Sequence, residues 1–254
     1  MFGIQELLRR AKFATVKASR RLVNSGDLAT FAHLVGLCDW LDRAAIDLVI
    51  DVGANVGQFA SALRYMGYRG DILSFEPIPR AYAALAHRMR GDRRWTGQQL
   101  AIGDSPGEAT LNVMAETVFS SFLNRVSCNV NPSDTVRERL TVKVETLAHI
   151  IDAMNLARRL QYTLLKSDTQ GHDMAVLQGL GAYLQEIKLV QCELSSIPIY
   201  RDAPYLTQVI DFLNGQSFKS VSFSPVNGDA IRPAEFDYLC VNTRLPDRAK
   251  KFRR

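Results

Sequence analysis

"LVIDVGANVGQF", residues 48–59, is the stretch from which the rest of the chain is read. Apolar residues and one acid, Asp51, lead into Gly53, Ala54, Asn55, Val56 and Gly57, and a helical pattern follows. That order predicts a strand, a sharp turn and a helix. Glycines at 53 and 57 allow the turn and let a ligand approach the backbone with no Cβ in the way. Taken alone, the stretch reads equally well as a plain strand-to-helix turn.

A second run, "DILSFEP", ends on Glu76 and Pro77. Glu76 falls at about the 20-residue offset at which a carboxylate grips the hydroxyls of a ribose. Such a carboxylate accepts from both hydroxyls and repels a 2′-phosphate. The loop departs from G-x-G-x-x-G, because Asn55 takes the place of the middle glycine and Asp51 precedes the turn. A pyrophosphate favours a helix N-terminus free of nearby acid. S-adenosylmethionine has no phosphate and carries an ammonium and a sulfonium, so charge favours this methyl donor over NAD.

Further out, β-rich runs alternate with helical stretches. The runs fall at 47–52, 71–76, 96–102, 162–168, 187–194, 218–223 and 236–242, and the helices near 57–67, 79–90, 146–157, 172–185 and 204–214. This alternation predicts an α/β fold with a doubly wound, mostly parallel sheet buried on both faces. Residues 103–145 break the rhythm and predict added β structure with a loop around "NVNPSD". The connection "SPVNGDAIRPAE" is too short for a crossover helix, so the last strands should pair antiparallel. Two helices are added ahead of the sheet, a basic amphipathic one at 4–22 and another at 27–42 capped by Ser25 or Asp27.

The 254-residue chain is long enough for one large core, and 47 % hydrophobic with 22 % charged residues is an ordinary soluble balance. No apolar run approaches the ~20 residues that span a bilayer, and the N-terminus lacks a signal-peptide pattern. Cys38, Cys128, Cys192 and Cys240 lie far apart, without metal-ligand spacing or a disulfide framework, which suits reduced thiols in the cytoplasm. The net charge of +5 conceals a division. Residues 1–21 carry +5 and residues 244–254 another +5, leaving a body of −5. A nucleic-acid enzyme carries its basic charge around its groove, so no nucleic-acid partner is expected. Basic ends beside an amphipathic helix can instead rest on anionic lipid at the inner face of a membrane.

The ordered blocks "IDVGANVGQF", "ILSFEPIPRAYAALAHRM", "LAIGDSPGEATLNV", "SSFLNR", "VETLAHII", "LLKSDTQGHDMAVLQGL", "VQCELSSIPIYRDAPYLTQVIDFL" and "FDYLCVN" resemble the FkbM family of S-adenosylmethionine-dependent methyltransferases. The resemblance runs from about residue 47 to 242. It implies a class I methyltransferase (Rossmann-like) sheet with a reversed last strand, and O-methylation, typically of a sugar hydroxyl in a glycolipid, a polysaccharide or a glycosylated natural product. It divides the chain into a basic helical segment (1–46), a methyltransferase domain (47–243) and a basic tail (244–254). By position, Asp51, Gly53, Ala54, Asn55 and Gly57 would border the methionine part of the cofactor. Glu76 and Pro77 would lie at the ribose, and Ala101, Ile102 and Asp104 near the adenine. Many relatives read K-I-D-x-E-G where this chain has "KSDTQG", so no mechanism with a carboxylate at position 170 carries over.

Methyl transfer to a hydroxyl needs the acceptor aligned and its proton removed. "LLKSDTQGHD" ends the fourth strand of the parallel series, with Lys166 and Asp168 on one face by the period of two, and His172 opens the next helix. "QCELS" ends the fifth with Glu193. Asp168 is the first candidate for general base and could also touch the cofactor; Lys166, His172 and Glu193 complete the catalytic candidates. The competing reading makes Lys166, Asp168 and Glu193 a buried ion-pair network that only holds structure. Asp168 and Glu193 lack a third ligand, so no metal is assigned. Ser121, Phe122, Asn124, Tyr200, Arg201 and Tyr205, with the loop from Cys128 to Asp134, are expected to meet the acceptor. His33, His87 and His149 receive no functional reading. The alternatives are an acceptor hydroxyl or carboxyl of a polyketide or peptide, a non-catalytic cofactor-binding module and, more remotely, NAD-dependent reduction. Oligomeric state is left open.

Overall fold

The computed structural model describes residues 25–124, 126, 135–197, 199–226 and 235–246. The helix expected at 4–22, the loop from Cys128 to Asp134 and the basic residues beyond 246 lie outside the described residues.

The opening stretch folds as read: β1 is Leu48–Val52, buried throughout, and α2 is Gln58–Tyr65. Ahead of them runs α1, Ser25–Arg43. Next come β2 (Asp71–Phe75), α3 (Pro79–Arg88), β3 (Trp95–Gln98), β4 (Ala101–Ile102), β5 (Gly107–Met114) and β6 (Val136–Glu145). The chain continues with α4 (Leu147–Ala153), β7 (Thr163–Ser167), α5 (Asp173–Gln178), β8 (Leu189–Ser195), α6 (Leu206–Gly215), β9 (Phe218–Val226) and β10 (Glu235–Asn242).

Seven strands form one sheet in the order β3-β2-β1-β7-β8-β10-β9. Six of them point the same way. β10 alone is reversed, inserted between β8 and β9 and antiparallel to both. This is the mostly parallel, doubly wound sheet of a class I methyltransferase.

The period of two decides what each helix covers. Val49, Ile72, Leu164, Leu189 and Leu239 face one side and pack against Leu37 and Leu41 of α1 and Leu63 of α2. Ile50, Phe75, Leu165, Val190 and Cys192 face the other side, under α4, α5 and α6. Strands buried on both faces need near-continuous apolar runs, and apart from Thr163 and Asn242 at the opposite edge the buried polar exceptions lie toward the carboxyl ends: Asp51, Ser74, Lys166, Ser167 and Gln191. Most of the sheet's buried polar groups are therefore gathered at one edge.

Two expectations are corrected in detail. The single run at 96–102 is split: β3 closes the large sheet, while β4 joins a second sheet of order β4-β6-β5. The break falls at Gln98 to Leu100, where the chain leaves the edge of the large sheet and Ala101 and Ile102 pair with Val144 and Glu145. The helix expected at 172–185 ends at Gln178, and a 3₁₀ segment over Gly181–Glu186 follows a glycine-rich break. The added β structure at 103–145 is present as the small sheet, whose Leu111, Val113, Val142 and Val144 pack on Ile78 and Ala81. Among the described residues no helix is long and apolar enough to cross a membrane.

Candidate functional site

The glycine loop turns through three left-handed residues, Gly53 (φ +75°), Asn55 (φ +46°) and Gly57 (φ +85°). Gly53 is required by close approach as well as by its dihedral angle. A Cβ there would stand 2.0 Å from the carbonyl oxygen of Asp168. The loop is pinned to the end of β2, since the amides of Gly53 and Ala54 both donate to Phe75 O.

Glu76 directly follows β2, and its side chain reaches across to this loop. Its Oε2 accepts from the Asn55 amide and its Oε1 from the Ile78 amide, each at 2.8 Å. Burial pushes its carboxyl up to about 7, against the lowering effect of those two amides. A carboxylate has about four acceptor positions, so both oxygens can still take a further hydroxyl. Thr117 Oγ1 donates to Asn55 Oδ1 at 3.1 Å, tying the loop to the segment after β5.

Across β1 and β7 the register places Ser74, Asp51, Lys166 and Gln191 side by side. The Lys166 ammonium stands 3.2 Å from Asp51 Oδ1 and 3.3 Å from Asp168 Oδ2. Burial works against its charge, but Asp168 and Asp51 together hold its pKa above the ordinary lysine value. Burial likewise raises Asp51, opposed by Lys166. Asp51 is fully buried and does not reach the cavity, so its charge is matched by Lys166, contrary to the expectation that it faces a cofactor cation. Asp168, with a side chain 36 % exposed, presents the carboxylate of this pair to the cavity.

Position 170 shows how the chain manages without an acid. Gln170 (φ +52°) donates through Nε2 to Asp168 Oδ1 at 3.1 Å and to Glu193 Oε2 at 2.6 Å. Its Oε1 accepts from the Tyr200 hydroxyl at 2.7 Å, and its carbonyl accepts from Ser121 Oγ at 2.7 Å. One neutral amide thus separates two carboxylates that would otherwise repel. Burial, with Asp168, Glu235 and Asp237 nearby, raises Glu193 well above the usual carboxylate range. Ser167, the other departure in "KSDTQG", donates to Asp173 Oδ1 at 2.6 Å, and burial lifts Asp173 to about 6.

These groups open into a cavity of about 460 Å³, ordinary for a small-molecule site. Gly53, Ala54, Asn55, Glu76, Pro77, Ala101 and Ile102 line one end, and Lys166, Asp168 and Glu193 the middle. Of the residues expected at the acceptor, Phe122 lines this cavity. Ser121 and Tyr200 are buried behind it as supports of Gln170. Asn124 and Arg201 are exposed and joined by the Arg201 amide, which donates to Asn124 O at 2.7 Å. Asp104 is exposed and lies off the cavity wall, and Gly57 is buried against Leu85. His172 and Tyr205 face a separate cleft beside α5 and α6, and burial lowers the His172 pKa.

Sequence reasoning missed the far end of the cavity, formed by Thr30, His33 and Leu34 of α1 with Gln191 and Asp237. A signal for two of them was present. Gln191 and Asp237 are polar residues inside apolar strand runs, a pattern that costs stability unless the polar group is hydrogen-bonded.

The donor set fits S-adenosylmethionine. A ribose diol would find open acceptor positions on Glu76, Ala101 and Ile102 would offer an apolar wall to a purine, and Asp168 lines the same cavity as an acid.

The sequence matches the methyltransferase FkbM domain over residues 51–220. The 2-O-methyltransferase NoeI of Sinorhizobium fredii is 25 % identical over 204 residues, covering 78 % of this chain and 80 % of that protein. Among solved structures, magnesium protoporphyrin IX methyltransferase of Synechocystis with bound S-adenosylmethionine aligns with TM-score 0.45 and 10 % identity, covering 87 % of this chain and 85 % of that one. Fibrillarin of Aeropyrum pernix, also with S-adenosylmethionine, aligns with TM-score 0.44 and 11 % identity, covering 77 % of this chain and 66 % of that one. With the family domain matched over more than half of this chain and the reversed-strand sheet carrying the glycine loop and Glu76, the chain belongs to the FkbM family of S-adenosylmethionine-dependent methyltransferases.

Proposed function

We propose that the protein methylates a hydroxyl oxygen of a sugar, in a glycolipid, a polysaccharide or a glycosylated natural product. The observation that carries this reading is the placement of Asp168 at mid-cavity, fixed by Lys166 and Gln170 and open on one side. The similarity to a 2-O-methyltransferase supports an oxygen acceptor.

The cofactor supplies an electrophilic methyl group on a sulfonium. Glu76 and the loop from Gly53 to Asn55 would hold its ribose and methionine parts, with Ala101 and Ile102 along the base. Asp168 takes the proton from the acceptor hydroxyl as its oxygen becomes the nucleophile. Lys166, braced by Asp51, holds the Asp168 side chain in place. Glu193, raised by burial, is suited to being a protonated hydrogen-bond donor toward the acceptor. His172 faces the neighbouring cleft and would act on a longer acceptor. The basic ends would bring the enzyme to an anionic lipid surface, as suits a glycolipid acceptor.

Incubation with labelled S-adenosylmethionine and a panel of glycolipids and free glycosides tests the reading. Label is expected on a sugar oxygen. Asp168→Asn should lower turnover by about 10²–10⁴-fold, the usual contribution of a general base, while leaving S-adenosylhomocysteine affinity nearly intact. A near-normal rate in that variant moves the base elsewhere, and label on nitrogen or carbon overturns the oxygen acceptor.

A further inference from the structure

On the sheet face covered by α1 and α2, character changes along each strand. Leu164, Leu189 and Leu239 form the apolar half. Two residues nearer the cavity on the same face stand Lys166, Gln191 and Asp237, the last opposite Glu193 on β8. α1 follows the same division. Leu37 and Leu41 are buried on the apolar half, and one turn earlier His33 lies over the polar half.

The His33 side chain is 9 % exposed, lines the cavity, and has no hydrogen-bond partner on either ring nitrogen among the described residues. Asp237 Oδ2 stands 3.7 Å from its Nε2, beyond hydrogen-bond reach. Gln191 is 3 % exposed and donates through Nε2 to Asp237 Oδ1 at 3.0 Å. Its Oε1 has no partner among the described residues. A buried polar atom left without a partner lowers stability. Here two side chains from separate elements leave such atoms at one end of one cavity, with Gln191 three strands along the sheet order from the strand that ends at Glu76.

We propose that His33, Gln191 and Asp237 form the acceptor subsite, holding adjacent hydroxyls of a sugar ring at the α1 end of the cavity. This rests on the sugar reading above and adds that the helix ahead of the methyltransferase sheet is part of the acceptor site. Gln191 Oε1 accepts one O–H. A neutral His33 donates from one nitrogen and accepts at the other, and Asp237 accepts again. A hydroxyl both donates and accepts, so a polyol satisfies the whole set. A phosphate or carboxylate would meet the Asp237 carboxylate with like charge. An apolar chain would leave His33 and Gln191 Oε1 unpaired.

The test is saturation-transfer NMR on the full chain with S-adenosylhomocysteine and methyl α-D-glucopyranoside, methyl α-D-galactopyranoside or methyl α-D-mannopyranoside. At least one glycoside is expected to receive saturation from the wild type. The signal should fall by about fivefold or more in His33→Ala and in Gln191→Met, as expected for lost hydrogen bonds. Calorimetric affinity for S-adenosylhomocysteine should stay within about twofold, because the Glu76 end is untouched. Should either variant lose that affinity through misfolding, Asp237→Asn, close to isosteric, takes its place. A glycoside that binds wild type and variants alike overturns the subsite and leaves the sugar reading standing. No glycoside binding beside intact S-adenosylhomocysteine binding overturns both.

Discussion

Glu76 shows how one side chain couples the fold to the cofactor. Two backbone amides hold it, and burial lifts its carboxyl to about 7 from an ordinary 4.5. Between those values the folded chain binds more protons here than the unfolded chain, so stability falls as pH rises across that window. Below the ordinary value the contribution is fully present; above the folded value it is gone. Glu76→Gln removes the titration. The stability of the ligand-free wild type relative to this variant should therefore decline from acid toward neutral pH and then level off, measured by paired thermal melts. A pH-independent difference would contradict the raised carboxyl. Glu76, Asp168 and Lys166 were legible in the sequence because each ends a strand at a readable offset. Asp51's pairing with Lys166 was not, since it depends on register between strands more than 100 residues apart in the chain.

At the scale of elements, the turn after β7 is held by a lattice of side chains from three places. Gln170 spans Asp168 and Glu193, Tyr200 reaches it from beyond β8, and Ser121 from the segment after β5. Tyr200→Phe keeps the buried ring and leaves Gln170 Oε1 without that donor. The expected loss is about 1–3 kcal/mol, or roughly 2–10 °C in melting temperature for a chain of this size, read by calorimetry with the circular dichroism spectrum unchanged. An unchanged melting temperature would mean that the hydroxyl does not hold the turn. Alternation of strand and helix made the large sheet legible, and the short last connection made β10's reversal legible. The split of 96–102 between two sheets was hidden because both halves carry the same local preference for extended backbone, and tertiary pairing alone separates them.

For the whole molecule, the distribution of charge and the placement of α1 belong together. The methyltransferase sheet carries acid at its cavity, while the basic residues lie at the two ends of the sequence. α1 buries Leu37 and Leu41 on the sheet and brings His33 to the cavity, so the helical segment completes the site. Its existence was legible from periodicity. Its role was not, because a lone histidine on a helix carries no sign of which face will be covered. If the basic N-terminal stretch rests on lipid, deleting residues 1–21 should weaken pelleting with anionic vesicles by roughly the ~1 kcal/mol per basic residue that such surfaces contribute. Unchanged pelleting removes lipid contact from the account.

Glu76 and the glycine loop would hold S-adenosylmethionine at the carboxyl ends of this sheet. Titration calorimetry of the full chain with S-adenosylhomocysteine and, separately, NADH tests it most directly. Binding of S-adenosylhomocysteine, none of NADH, and a loss of at least about tenfold in Glu76→Ala, near the 1.4 kcal/mol of a charge-assisted hydrogen bond, is the expected result. NADH binding without S-adenosylhomocysteine binding, or an affinity indifferent to Glu76→Ala, would contradict it.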